Sequence, residues 1–129
     1  MPSLDTGWTM SRMQRTVLIV DDHGPYRTSA RAMLEADGFS VVGEAATGEE
    51  AIEQAVALRP AIVLLDIRLP DRDGFEVAEA MARSAPDASV VLISSRPERT
   101  YAGRLETAAA RGFIPKSQLS GAAIEALLG

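Results

Sequence analysis

Residues 62–74 read IVLLDIRLPDRDG. Ile62, Val63, Leu64 and Leu65 form an unbroken apolar run, the pattern of a strand covered on both faces. The run stops at Asp66, and a polar loop with Pro70, Asp71 and Asp73 follows. From Gly74 the period changes: Phe75, Val77, Ala78 and Met81 predict a helix over 74–84 with one buried stripe. A fully apolar strand, a loop and an amphipathic helix make the repeating unit of a parallel sheet with helices packed on it.

The same unit recurs on either side. Upstream, VLIV at 17–20 ends on Asp21 and Asp22, and Pro25 fits the first turn of a helix carrying Tyr26, Ala30, Met33 and Leu34. Gly38 stops that helix, and residues 39–45 read as a second strand around Val41 and Val42. Thr47 and Glu50 have capping-box spacing for a helix through Ala51, Ile52, Ala55, Val56 and Leu58, which Pro60 ends. Downstream, residues 90–93 form a strand ending on Ser94 and Ser95. A helix is expected over 98–111, with Tyr101, Leu105, Ala108 and Ala109 inward. Gly112 stops it, Phe113 and Ile114 make a short fifth strand ending near Lys116, and Ser120 caps a last helix with Ile124, Leu127 and Leu128. Five alternations predict an α/β fold, a five-stranded parallel sheet with helices on both faces, and strand order 2-1-3-4-5 of the flavodoxin-like type.

Composition bounds what such a domain does. The 129 residues suffice for one core, and 47% hydrophobic content indicates a globular chain. Residues 1–14 carry no period and read as a disordered leader, leaving 15–129 as the folded domain. A net charge of -5 argues against a nucleic-acid surface. Cysteine is absent, no apolar run is long enough to span a bilayer, and the start lacks signal-peptide character. These features suit the cytoplasm and no membrane contact.

In a doubly wound sheet the site lies beyond the carboxyl ends of the strands, where strand order reverses. Asp21, Asp22, Asp66, Ser94 and Lys116 all follow strands, so topology gathers them. Three carboxylates sum to -3 against the +1 of Lys116, and a divalent cation brings that sum to zero. Oxygen ligands favour magnesium, manganese or calcium over zinc. Asp66 ends the most apolar strand and is the carboxylate best placed to attack phosphorus and form an acyl phosphate. His23, the sole histidine, has no visible catalytic partner. Asp71 and Asp73 are expected to shape their loop.

Together, VLIVDDH, LLDIRLPDRDG, LISS and GFIPK resemble the receiver domain of two-component response regulators. The resemblance covers about Thr16 to the C-terminus. DDHGPYR at 21–27 is similar to receivers that precede a helix-turn-helix output, so a fragment of a DNA-binding regulator is an alternative. The resemblance implies Asp66 as phosphoacceptor, with Ser94 and Lys116 as its catalytic partners. It further implies magnesium (or manganese) held by Asp22, Asp66 and the Arg68 backbone carbonyl, with Asp21 acting through water. The donor would be a sensor histidine kinase or a histidine phosphotransfer protein. The chain would catalyse its own phosphorylation and slow dephosphorylation rather than turn over a separate substrate. The implied output is a switch at Ser94 and Phe113 that remodels helix four, strand five and helix five for a downstream protein target or a homodimer.

Four positions bear on how closely the chain follows the family pattern. Phe113 lacks the hydroxyl of the usual tyrosine, so the switch is expected to rest on packing. Ser117 replaces a common proline. Arg68 and Arg96 occupy the positions that tune phosphoryl loss. Arg68 also stands where a haloacid-dehalogenase-type phosphohydrolase would carry its second aspartate, which disfavours that rival. A non-phosphorylated interaction module is the other alternative.

Overall fold

The strand Ile62–Asp66 (β3) is buried at every position, because strands cover both its edges and helices both its faces. The computed structural model describes residues 15–129, so the leader expected over 1–14 lies outside the described residues. Around β3 are β1 (Thr16–Val20), β2 (Ser40–Ala45), β4 (Ser89–Ser94) and β5 (Gly112–Pro115), in the order β2-β1-β3-β4-β5 with every pair parallel. The connecting helices are α1 (Gly24–Ala36), α2 (Gly48–Leu58), α3 (Gly74–Ser84), α4 (Ala102–Glu106) and α5 (Gly121–Leu128). The expected strand order and layering are both observed.

Strand alternation splits the apolar residues into two cores. Leu18, Val20, Val63, Leu65, Val90 and Leu92 face Ala51 and Ala55 of α2 and Val77, Ala78 and Met81 of α3. Val17, Ile19, Ile62, Leu64, Val91 and Ile93 face Ala30 and Leu34 of α1 and Ile124 of α5. Period two along each strand is therefore hidden inside a continuous apolar run. Between β1 and the edge strand β2 the register shifts once, at Val17/Leu18, which leaves Val42 of β2 outside the pairing and exposed.

Helix ends follow local chemistry. The Thr47 side chain accepts the Glu50 N–H at 3.1 Å, while the Glu50 carboxylate accepts from Ala46, one residue before the usual capping-box partner. Ser120 caps α5 through the Ala123 N–H at 3.0 Å. Gly38, at φ 92°, takes a left-handed conformation that a side chain would strain.

The fourth helix departs from expectation. A 3-10 turn, Glu98–Tyr101, runs into the five-residue α4, and helical structure ends at Glu106 rather than near Arg111. The Arg111 N–H instead bonds the Val90 carbonyl at 2.8 Å, which draws the segment onto the sheet edge. Ala108 and Ala109 are only half-buried, and so short a helix has little propagation energy to resist that pull.

Register aligns the strand ends. Val20 lies beside Leu65, Asp66 beside Ile93, and Ser94 beside Pro115. The residues that follow β1 and β5, and the last residues of β3 and β4, therefore share one rim.

Candidate active site

Asp66 is the last residue of β3 and only 5% exposed. Its Oδ1 accepts the Arg68 N–H at 3.1 Å and its Oδ2 accepts from Lys116 Nζ at 3.1 Å. Asp21 is fully buried beyond β1; its Oδ1 accepts the His23 N–H at 2.9 Å, and Lys116 Nζ lies 2.5 Å from its Oδ2. The neighbouring Asp22 is exposed. Carboxylate oxygens of Asp21, Asp22 and Asp66 all lie within 4.8 Å of one another. Topology thus brings together the predicted acids and the predicted amine.

One ammonium serves two buried carboxylates here, and the charges respond unequally. Burial pushes the Asp66 carboxyl above its ordinary range, against the opposing pull of the Arg68 N–H and of Lys116. Burial also works against the Lys116 ammonium, but the hydrogen bond to Asp21 and the charge of Asp66 outweigh it and hold Lys116 above the usual lysine range. Lys116 sees two partners, while Asp66 shares its lysine with Asp21. The amine is therefore a permanent cation, and Asp66 is a carboxylate destabilised until more positive charge arrives.

Ser94 is buried at the end of β4. Its Oγ accepts the Arg96 N–H at 3.0 Å and lies 2.9 Å from the Tyr101 hydroxyl. Ser94 thus has a hydroxyl partner at rest, a contact the sequence did not signal. Phe113 is half-buried and lacks a hydroxyl, but Tyr101 supplies one from the turn before α4. The Tyr101 ring sits between Phe75 and Phe113, each centroid 6.0 Å away. Arg68 and Arg96 are exposed, and each donates its backbone N–H to the side chain two residues earlier. His23 is exposed and caps nothing with its side chain.

Three further contributions escaped the sequence reading. Tyr101 was legible only as an inward-facing residue. Tyr26 likewise lies on the inner stripe of α1, and its ring carries Lys116 Nζ 4.8 Å from the centroid. Asp71, expected only to shape its loop, accepts the Gly48 and Glu49 N–H groups at 2.8 and 3.0 Å and so caps α2 from outside. No local pattern signals a cap supplied by a loop 23 residues away.

The donor set fits a hard divalent cation: three carboxylates, all oxygen, with one permanent positive charge beside them. Among the described residues, no helix is long and apolar enough to cross a membrane.

The family model for the response regulator receiver domain matches residues 17–127. Response regulator GacA of Pseudomonas syringae pv. syringae is 42% identical over 101 residues, which are 78% of this chain and 47% of that protein. A protein-glutamate methylesterase/protein-glutamine glutaminase of Alkalilimnicola ehrlichii is 42% identical over 110 residues, covering 81% of this chain and 27% of that protein. The chain thus spans about half, or less, of the length of these curated relatives. Among solved structures, the signal receiver domain of NarL from Mycobacterium tuberculosis superposes with a TM-score of 0.76 at 32% identity, covering 88% of this chain and 96% of that one. With strand order, rim geometry and sequence in agreement, the chain belongs to the response regulator receiver domain family of two-component signalling.

Proposed function

We propose that this receiver takes a phosphoryl group onto Asp66 from the phosphohistidine of a sensor histidine kinase or histidine phosphotransfer protein, in the cytoplasm. One observation carries the reading: a nearly buried carboxylate ends the central strand with an ammonium 3.1 Å away and two more acids within 4.8 Å. An Asp66 oxygen attacks phosphorus, the P–N bond breaks, and its electron pair returns to the imidazole nitrogen, leaving an acyl phosphate. Esterification removes the carboxylate charge at Asp66 and places negative charge on the phosphoryl oxygens. Lys116 then has a new oxygen to pair with.

Asp22 and Asp66 would hold magnesium or manganese directly, with the Arg68 carbonyl, and Asp21 would act through water. Bound there, the ion would supply charge neutralisation for the phosphoryl oxygens. Arg68 and Arg96 would tune the rate at which water removes the phosphoryl group.

Ser94 carries the signal outward in this reading. Its hydroxyl leaves Tyr101 for a phosphoryl oxygen, and Tyr101, wedged between Phe75 and Phe113, loses its partner. The change shifts a two-state equilibrium of the surface formed by α4, β5 and α5, which a downstream target or a second copy then reads.

Incubation with acetyl phosphate and magnesium, followed by intact mass, tests the chemistry. One phosphoryl is expected on the wild type and none on Asp66→Ala. Equal labelling of both puts the phosphoryl group on another residue and overturns Asp66 as acceptor, and no labelling of the wild type with several donors favours the interaction-module reading.

A further inference from the structure

Tyr26 carries a buried hydroxyl that no part of the proposed reaction uses. Among the described residues it makes no hydrogen bond, although no solvent reaches it. The ring packs against the α1 and α5 side of the sheet. Its face carries Lys116 Nζ at 4.8 Å, the same ammonium that pairs with Asp21 and Asp66. Burial, then the negative charges of Asp21 and Asp66, push the phenol up to about 12. At any working pH it keeps its proton and acts as a donor, never as a base.

A buried donor with no acceptor is costly, and native proteins rarely leave one. The two buried carboxylates whose charge the phenol feels hold other partners: Asp66 bonds Lys116 and the Arg68 N–H, and Asp21 bonds the His23 N–H through Oδ1, while its Oδ2 meets Lys116 as an ion pair and, like the Tyr26 hydroxyl, has no hydrogen bond among the described residues. An acceptor arriving in the crevice would relieve the mismatch. Phosphoryl transfer to Asp66 brings in oxygens with full negative charge, and charge-assisted bonds to such oxygens are the strong ones.

We propose that Tyr26 is a phosphoryl-binding residue of this receiver, its buried hydroxyl donating a hydrogen bond to an oxygen of the group carried by Asp66. This rests on Asp66 being the acceptor. The contact adds a neutral donor beside Lys116 and Ser94, from a third element, α1. It also couples α1 to the occupancy of the crevice, since Tyr26 lies three residues into that helix.

Tyr26→Phe tests this, because it keeps the ring beneath Lys116 and removes only the hydroxyl. Binding of beryllofluoride, a phosphoryl mimic, is measured by calorimetry at saturating magnesium, alongside magnesium alone and the melting temperature of the bare protein. The expected result is beryllofluoride affinity weakened about fivefold or more, magnesium affinity unchanged, and a bare-protein melting temperature equal to or above wild type. Equal beryllofluoride affinity in variant and wild type overturns the proposal while leaving Asp66 as acceptor. An equal loss for magnesium alone also overturns it, placing the hydroxyl on metal-bound water. Failure of the wild type itself to bind beryllofluoride overturns the Tyr26 proposal and the phosphoacceptor reading together.

Discussion

The Ser94 hydroxyl has one hydrogen and, at rest, the Tyr101 hydroxyl 2.9 Å away. Both residues are buried, so Tyr101→Phe leaves Ser94 short of a partner and should cost about 1 kcal/mol in the bare protein by urea unfolding. If Ser94 turns toward the phosphoryl group on activation, that cost disappears in the loaded state. The variant should then gain more stability from magnesium and beryllofluoride than the wild type does. Equal gains would show that Ser94 keeps Tyr101 throughout and that Tyr101 is only part of the core. The sequence made Tyr101 legible as an inward aromatic because it falls on a helical stripe with Leu105. Its hydroxyl partner was not legible, because that pairing depends on a tight 3-10 turn that folds the residue back over the end of β4. Phe113, by contrast, was identifiable by position, and the structure adds the aromatic stack that connects it to Tyr101.

At the scale of elements, the loop after Asp66 is held at both ends. A Cβ on Gly74 would come within 2.5 Å of the Asp66 carbonyl oxygen, so only glycine lets α3 start this close to the acceptor's own peptide. Asp73 caps α3 through the Phe75 N–H at 2.7 Å, and Arg104 of α4 pairs with the same carboxylate at 2.8 Å while lying over the Phe75 ring. The start of α3 thus touches both the acceptor loop and the fourth helix, the two places where the proposed switch begins and ends. Asp71 ties the middle of the loop to α2, and the Gly48 and Glu49 N–H bonds hold its carboxyl below the ordinary range. Asp71→Ala should therefore speed amide exchange at Gly48 and Glu49 and lower the melting temperature modestly at neutral pH. A carboxyl lowered by folding contributes stability above its unfolded value and loses it as pH falls through its folded value. The variant and wild type should accordingly converge in acid, and a gap that persists there would argue against the cap. The periodicities located every strand and α-helix, but neither the 3-10 turns at Glu98–Tyr101 and Lys116–Gln118 nor the far end of helix four. There, three successive alanines at 108–110 suit a helix in isolation, but the sheet edge offered Arg111 a backbone partner.

For the molecule as a whole, continuous apolar strands and one-sided helices fixed the layers, and the parallel winding then carried residues 50 positions apart, Asp66 and Lys116, into contact. That much follows from pattern, since the strand ends alone name the crevice. What pattern leaves open is the charge balance inside it, because burial and shared partners are properties of the finished packing. Two buried carboxylates divide one lysine, and burial pushes the Asp66 carboxyl upward. A group that holds its proton to higher pH when folded than when unfolded binds more protons in the native state across that window. Its contribution to stability is therefore complete below the unfolded value and declines as pH rises through the folded one. Ionised Asp66 is thus a net burden on the bare fold at neutral pH. Asp66→Asn should melt above the wild type at pH 7 without metal, and the two should approach each other as pH is lowered toward about 4, where a free aspartate takes up its proton. Magnesium should reverse the order by stabilising the wild type far more than the variant, since only the wild type offers the full carboxylate set. Thermal melts across pH, with and without magnesium, measure all three. A wild type that melts above Asp66→Asn in metal-free buffer at neutral pH would mean that Lys116 already compensates both acids and that the crevice has no charge left for a cation to neutralise.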